Sequence, residues 1–503
     1  MGVRFLYKPY TPGRCSKVYE RSKDMKILIS TSEAIPFVKT GGLADVTGAL
    51  LKEYRKMDVD AYLVLPLYSA IRDAYYLTDT GRRLTVPVGD RRYNSRIWSY
   101  GSEVYLIECN EFFERPELYG TPEGDYPDNA ARFTFYCRAV LEACMAVGIR
   151  PDVIHCNDWQ TGLIPLYLRT IYNTEFFSRT ATIMTIHNLG YQGLFNVSDF
   201  PLTGLGWEWF NPEGVEFYGK VNLLKAGLIA SDIITTVSPT YAREILTDEY
   251  GFGLDGVLRK RSSDLFGVIN GIDNEEWNPA RDRSIPANYN LSDISGKAIC
   301  RKALIDECSL SKNKDAPLIA LIGRLSSQKG LDILLESVDD IVSMGARLIV
   351  LGKGDEHYHR GILGAAERYK GRVYARVGYD EAFARRIYAG SDIFLMPSRY
   401  EPCGLGQLIA MRYGTIPVAR KTGGLADTII DYNPLKGDGT GFLFEDYKAS
   451  ALRECLRSAL SVFVDKRRWK MMVTNAMKID FSWESSAKRY MELYDIAIKK
   501  KRV

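Results

Sequence analysis

Several short stretches of the chain set charged or amide side chains beside glycines, in patterns that suit the handling of phosphates and hydroxyls. Lys39-Thr40-Gly41-Gly42-Leu43 is one of them. Glycines let the backbone close on a ligand, a helix N-terminus offers unpaired N–H groups, and a lysine adds positive charge, which together suit a phosphate. A strained turn with a solvated lysine is the plain alternative. In GRLSSQKG at 323–330, Arg324 and Lys329 could converge on a diphosphate, the arginine as a planar fork and the lysine as a point charge. This is not a Walker loop, because G-x-x-x-x-G-K-[ST] is absent. GKGD at 352–355 lacks the third glycine of a dinucleotide fingerprint, which argues against hydride transfer. Glu401, in SRYEPCGLGQ at 398–407, places a carboxylate between a strand end and glycines, where α/β sheets bind ligands. A lone glutamate there is otherwise a surface residue. His187, in TIHN at 185–188, also ends a strand, where a lone histidine is more often a satisfied structural residue. Asn157-Asp158-Trp159 closes another strand, and its ordinary role is to cap the segment from Thr161. Asp58-Val59-Asp60 has the D-x-D form that can hold a metal, but it precedes a strand, which predicts a solvated turn and no metal.

These stretches need strands to carry them. From Met25 the sequence alternates short apolar runs with helical periods, the pattern of an α/β fold with parallel sheets covered on both faces. Strands are predicted at 26–30, 61–66, 153–156, 181–186 and 233–237, with helices over 130–147 and 219–230. The rhythm restarts with strands at 318–323, 347–351, 373–377, 393–397 and 416–419. The strongest helical period runs from Leu331 to Val342 at spacings of three and four. Residues 273–316 are polar and loop-like between the halves, so the domain boundary is placed there.

At roughly 150 residues per domain, 503 residues make about three units or two large ones. Hydrophobic residues at 46% and charged residues at 25% exclude disorder, collagen and coiled coil as the main architecture. No apolar run approaches the roughly 18 residues of a membrane span. Nine single cysteines without C-x-x-C, and only four histidines, predict a reducing compartment and no structural metal. The net charge of +4 sits in residues 1–24, where six basic residues against two acidic ones give 6 − 2 = +4, so the remainder is neutral. That argues against a nucleic-acid partner. Residues 1–24 are read as a flexible basic extension without the apolar core of a secretory signal.

KTGGLAD occurs twice, at 39–45 and 421–427. A solenoid would repeat every 20 to 50 residues, so this is no array. Coincident turn chemistry is one explanation; two similar doubly wound domains, each presenting such a turn across a cleft, is the other.

Nine elements in order then acquire a common meaning: KTGGLADV at 39–46, NDW at 157–159, TIHNLGYQG at 185–193, VSPTYA at 237–242, NGID at 270–273, GRLSSQKG at 323–330, VGYDE at 377–381, SRYEPCGL at 398–405 and KTGGLAD at 421–427. With them the chain closely resembles the bacterial and plant starch/glycogen synthases. The resemblance implies a GT-B fold, two Rossmann-like domains with an interdomain active-site cleft. Its parts would be an acceptor-side domain at 25–275, a linker at 276–316, a nucleotide-sugar-binding domain at 317–480 and a helix at 481–503 returning to the N-terminal domain. It implies glucose transfer from ADP-glucose, with UDP-glucose the lesser alternative, to the non-reducing end of an α-1,4-glucan with retention, in the cytoplasm or, if 1–24 are a transit remnant, a plastid. No cofactor, metal or membrane partner is implied, and the oligomeric state is left open.

By the same resemblance Glu401, His187, Arg324 and Lys329 are catalytic. Lys39 with Gly41 and Gly42 binds the donor, Asp45 lines the glucosyl pocket, and Asp158 orients sugar or acceptor hydroxyls. Asn270 reaches the sugar, Tyr379 stacks on the base, and Cys403, Gly404 and Leu405 line the donor site. Two departures stand out. Ile409 replaces a second glutamate found in broader relatives, which fits the synthases, and Gly406 stands where many synthases have threonine. The competing readings are a related retaining transferase with a small acceptor and a catalytically idle glucan-binding homologue.

Overall fold

The computed structural model describes residues 25–121, 123–313 and 315–502; the extension expected at 1–24 lies outside them. The chain forms two units, one of residues 25–186, 190–234 and 487–502, the other of His187–Leu189 and Thr235–Ser486.

In the first unit, β1 (Lys26–Ser30) leads into α1 (Gly42–Lys56), followed by β2 (Asp60–Pro66), β3 (Thr78–Val88), β4 (Arg91–Tyr100) and β5 (Val104–Glu108). After α2 (Asn129–Val147) come β6 (Val153–Asn157), β7 (Ala181–Ile186) and β8 (Ile233–Thr236), the last running across the unit boundary. Among these eight the strand order is β8-β7-β6-β1-β2-β5-β4-β3, and a ninth short strand, Leu265–Gly267, follows beyond β8. Ile27, Leu28 and Ile29 are successive yet fully buried, so both faces of β1 are covered, as a central parallel strand requires. β1 pairs in parallel with β2 and β6, and the winding reverses between β1 and β6, where doubly wound sheets bind ligands.

The antiparallel hairpin β3–β4, which extends this sheet, was not among the predicted strands. It is rich in arginine and half exposed, so no apolar run announces it. The helix predicted over 219–230 is shorter. Lys220–Asn222 is a strand, and the helix Leu223–Ala230 begins where the Asn222 side chain accepts the Lys225 N–H at 2.9 Å.

The second unit holds α3 (Pro239–Glu244), then β9 (Leu318–Ile322), β10 (Arg347–Gly352), β11 (Val373–Val377), β12 (Ile393–Met396), β13 (Ile416–Arg420) and β14 (Phe442–Phe444). The order is β11-β10-β9-β12-β13-β14, all parallel. Here the winding reverses between β9 and β12. α4 (Gly406–Arg412) follows β12, and α5 (Gly423–Thr428) follows β13. The helical period from Leu331 is divided into Leu331–Leu335 and Val338–Ser343. At the break, the Ser337 hydroxyl donates to the Ile333 carbonyl at 2.7 Å, a bond that competes with the helical ladder.

The last helix, α6 (Trp483–Lys501), counts with the first unit from Ala487 onward. The Tyr494 hydroxyl lies 2.9 Å from that of Tyr54 on α1 and 2.8 Å from Nδ1 of His155 on β6. All three side chains are fully buried, so these polar groups satisfy one another away from water.

Candidate functional site

Three loops of the second unit gather at the carboxyl ends of β9, β10 and β12. The 323–330 loop is pressed onto the segment after β12. A Cβ on Gly330 would stand 2.0 Å from the Pro397 carbonyl oxygen, so only glycine permits the approach. The Arg399 N–H closes the same junction on the Gln328 carbonyl at 2.8 Å. Beside it the 352–355 loop is tied to Leu325, whose N–H donates to the Lys353 carbonyl at 3.0 Å and whose carbonyl accepts the Asp355 N–H at 2.8 Å.

Lys329 and Glu401 therefore meet at the point where the winding reverses. The Lys329 ammonium is 2.5 Å from Oε2 of Glu401, and the Ser398 hydroxyl donates to the same oxygen at 3.1 Å. Glu401 is 5% exposed, so its carboxylate is held by a cation and a hydroxyl instead of by water. An ammonium has three donors, which leaves further donors for an anionic group.

The turn after Glu401 carries Cys403, Gly404 and Leu405. Gln407, fully buried on α4, donates from Nε2 to the Cys403 and Gly404 carbonyls, both at 3.0 Å. Burial pushes the Cys403 thiol up to about 12, opposed by the Asn270 N–H that faces it. Asn270 is buried too, and its Oδ1 has no hydrogen-bond partner among the described residues. A buried amide oxygen without a donor is the mark of a site that completes itself with a ligand or water. Lys329, Glu401, Asn270, Cys403, Gly404 and Leu405 thus form one cluster. Arg324 is exposed at the end of β9. Tyr379 is 80% exposed beyond β11, its hydroxyl donating to Glu381 at 3.2 Å.

Sequence reasoning assigned no role to the second KTGGLAD in building this cluster, although its recurrence was the signal. A Cβ on Gly424 would lie 2.1 Å from the Cys403 carbonyl oxygen, and the Gly424 N–H donates to the Glu401 and Pro402 carbonyls at 3.1 and 3.2 Å. This turn is the bed on which the Glu401 segment rests.

His187 follows β7 and is partly buried. Burial pushes its imidazole down to about 3, so the ring is neutral at ordinary pH.

In the first unit, Lys39, Gly41, Gly42 and Asp45 follow β1, and Asp158 follows the neighbouring β6. The Lys39 ammonium is 2.7 Å from Oδ1 of Asp45. The Thr40 and Gly41 N–H groups of this loop are engaged by a carboxylate, so they are not the ones that would meet a phosphate. Glu33, 3% exposed, accepts the Thr40 N–H at 2.5 Å, the Thr40 hydroxyl at 2.6 Å, the Gly41 N–H at 3.3 Å and the Tyr119 hydroxyl at 2.6 Å. No motif pointed to Glu33. Asp158 sits at φ +53° with its side chain making no cap bond, and its N–H donates to Thr185 at the end of β7 at 3.0 Å. The side chain of Asp158 thus does not cap the following turn.

Two family models match the chain: the starch synthase catalytic domain over residues 26–260 and glycosyl transferases group 1 over 306–476. A glycogen synthase of Thermodesulfovibrio yellowstonii is 47% identical, with 93% of this chain and 97% of the relative covered. One of Geotalea daltonii is 48% identical over 95% and 100%. The catalytic domain of starch synthase IV from Arabidopsis thaliana, solved bound to ADP and acarbose, matches with a TM-score of 0.87 and 34% identity over 94% of this chain and 99% of that one. A sucrose-phosphate synthase of Thermosynechococcus elongatus, at 18% identity and a TM-score of 0.60 over 94% and 98%, shares the fold.

Proposed function

Because the chain belongs to the glycogen and starch synthase family of glycosyltransferases, we propose that it transfers glucose from ADP-glucose to the non-reducing end of an α-1,4-glucan with retention of configuration. The observation that carries the mechanism is the pairing of Lys329 with the buried Glu401 at the switch point of the second sheet. Departure of the nucleoside diphosphate builds negative charge on its β-phosphate. Lys329 and Arg324, both cationic beforehand, stabilise that charge more in the transition state than in the ground state. Glu401, oriented by Lys329 and Ser398, accepts hydrogen bonds from the glucosyl hydroxyls. Asn270 offers its open acceptor to the same sugar, and the backbone of Cys403, Gly404 and Leu405 lines the donor site. His187, being neutral, donates or accepts a hydrogen bond close to the transferred sugar without adding charge. Lys39 takes the donor, Asp45 lines the glucosyl pocket, Asp158 orients sugar or acceptor hydroxyls, and Tyr379 stacks on the base.

Retention is assigned to front-face attack, with the leaving phosphate helping to deprotonate the acceptor hydroxyl. Residues 25–275 act as the acceptor side and 317–480 as the nucleotide-sugar side. The ADP bound to starch synthase IV supports ADP-glucose as the donor here. The eight described cysteines are free, which supports a reducing, cytoplasmic setting.

The test is turnover of ADP-glucose and UDP-glucose with glycogen and with maltooligosaccharides, read as nucleoside diphosphate release. Faster release from ADP-glucose is expected, and faster release from UDP-glucose overturns the donor assignment. Lys39→Ala and Glu401→Ala are each expected to remove most activity from a folded enzyme; full turnover in either contradicts the residue roles.

A further inference from the structure

The two copies of KTGGLAD are docked in the same way. In the first, the Thr40 hydroxyl and the Thr40 and Gly41 N–H groups converge on the Glu33 carboxylate. In the second, the Thr422 hydroxyl donates to Glu244 at 2.9 Å, and the Gly423 N–H reaches the two oxygens of that carboxylate at 3.0 and 3.1 Å. Each glutamate lies outside its heptapeptide. Each lysine pairs with a different carboxylate, Lys39 with Asp45 and Lys421 with Glu445 at 2.9 Å. The threonine and glycine are therefore a receptor for a glutamate, and the lysine is left to other work.

Glu33 is itself held from both ends. Its carbonyl accepts the Thr31 hydroxyl at 2.8 Å and the Thr47 hydroxyl of α1 at 2.7 Å. The Tyr119 hydroxyl, which donates to its carboxylate, lies 2.7 Å from the Ser32 hydroxyl. A carboxylate anchored so closely to β1 and α1 sets the path of the backbone at Thr40, one residue from Lys39.

We infer that Glu33 is the positioning residue of the donor-binding loop, setting Lys39 for the nucleotide sugar by capturing the Thr40 and Gly41 N–H groups without touching the substrate. This rests on the donor role proposed for Lys39. A glutamine in its place keeps one oxygen for the two N–H groups, and its amide can donate to the Thr40 and Tyr119 hydroxyls, which rotate to accept. An alanine abandons all four donors. A displacement of roughly 1 Å in a substrate-positioning loop costs on the order of 10²-fold in rate.

The experiment is a double-mutant cycle on kcat/KM for ADP-glucose, read as ADP release with glycogen. Glu33→Ala is expected to lower kcat/KM by about 10- to 100-fold, chiefly through KM, and Glu33→Gln to recover most of it. In the Lys39→Ala background the further loss from Glu33→Ala is expected to shrink to less than about threefold, since the loop then has no lysine to aim. Multiplicative losses, or a Glu33→Gln variant as impaired as Glu33→Ala, overturn the inference while leaving the role of Lys39 intact. Full activity of Lys39→Ala alone overturns the donor reading instead. Should Glu33→Ala not fold, Thr40→Val, which deletes only the hydroxyl, takes its place in the same cycle with the same expected non-additivity.

Discussion

Replacing Gly424 with alanine would test how closely activity depends on the bed beneath Glu401. The added Cβ would stand 2.1 Å from the Cys403 carbonyl oxygen and 2.5 Å from the Cys403 Cα, both backbone atoms that no rotamer can move aside. Van der Waals contact requires a retreat of roughly 1 Å. The Gly424 N–H also holds the Glu401 and Pro402 carbonyls, so the retreat carries the whole segment with it. A shift of that size in a positioning segment is expected to cost on the order of 10²-fold in kcat, about 2.7 kcal/mol of barrier. Overpacking alone destabilises by about 1–3 kcal/mol, or a fall in Tm of about 2–12 °C, so the protein remains folded at assay temperature. The control is Gly364→Ala, where nothing lies within 4 Å of the added Cβ on the exposed face of the helix Glu356–Arg368. There alanine is expected to leave kcat unchanged and to raise stability by up to about 1 kcal/mol. Steady-state kinetics beside thermal denaturation decides the matter. A Gly424→Ala enzyme with wild-type kcat, or one whose loss merely tracks its unfolded fraction, would refute the link between this turn and the chemistry.

Three further expectations concern the same residues. Lys329→Ala removes both a diphosphate cation and the partner of a buried carboxylate; turnover should fall by about 10²- to 10³-fold while far-UV circular dichroism is preserved. His187 takes up its proton near pH 3 when folded and near 6.5 when unfolded, so the unfolded state binds more protons between these values and the contribution to stability is lost as pH falls. Thermal denaturation between pH 7.5 and 5 should therefore cost the wild type more than His187→Gln, and identical shifts would show that another group is responsible. Gly406→Thr brings a Cβ to 2.9 Å from the fully buried Phe394 ring, and it should destabilise by about 1–3 kcal/mol unless Phe394→Leu is added. Denaturant melts of the single and double variants read the compensation.

The central parallel strands were legible because they are short apolar runs buried on both faces, as with Ile27–Ile29 and the wholly buried β7, whereas the parallel strands β5 and β14 were not among those predicted. The β3–β4 hairpin was not, because a half-exposed, arginine-rich surface strand has little apolar signal to show. The Leu331 period was legible as helix but not its break, which comes from a single serine hydroxyl. At the site, local glycine and charge patterns pointed to the loops bearing Lys329 and Glu401. What they could not convey was which remote atoms those loops touch. Glu33 reaches Thr40 only seven residues on, yet no glycine or apolar pattern marks it, and the turn at Gly424 acts through contacts formed only when separated segments fold together. The repeated heptapeptide was visible in the sequence, whereas the glutamate that each copy captures was not.

The bond network of Tyr494 has a consequence for the order of folding. Its hydroxyl stands 440 residues beyond Tyr54 and 339 beyond His155 in sequence, so the contact closes a very long loop. Closure over such a separation comes at an entropic cost that shorter-range strand pairings of the same unit do not carry, which sets the docking of α6 late among its contacts. Removing α6 from Ala487 onward should accordingly leave the first unit more sensitive to protease.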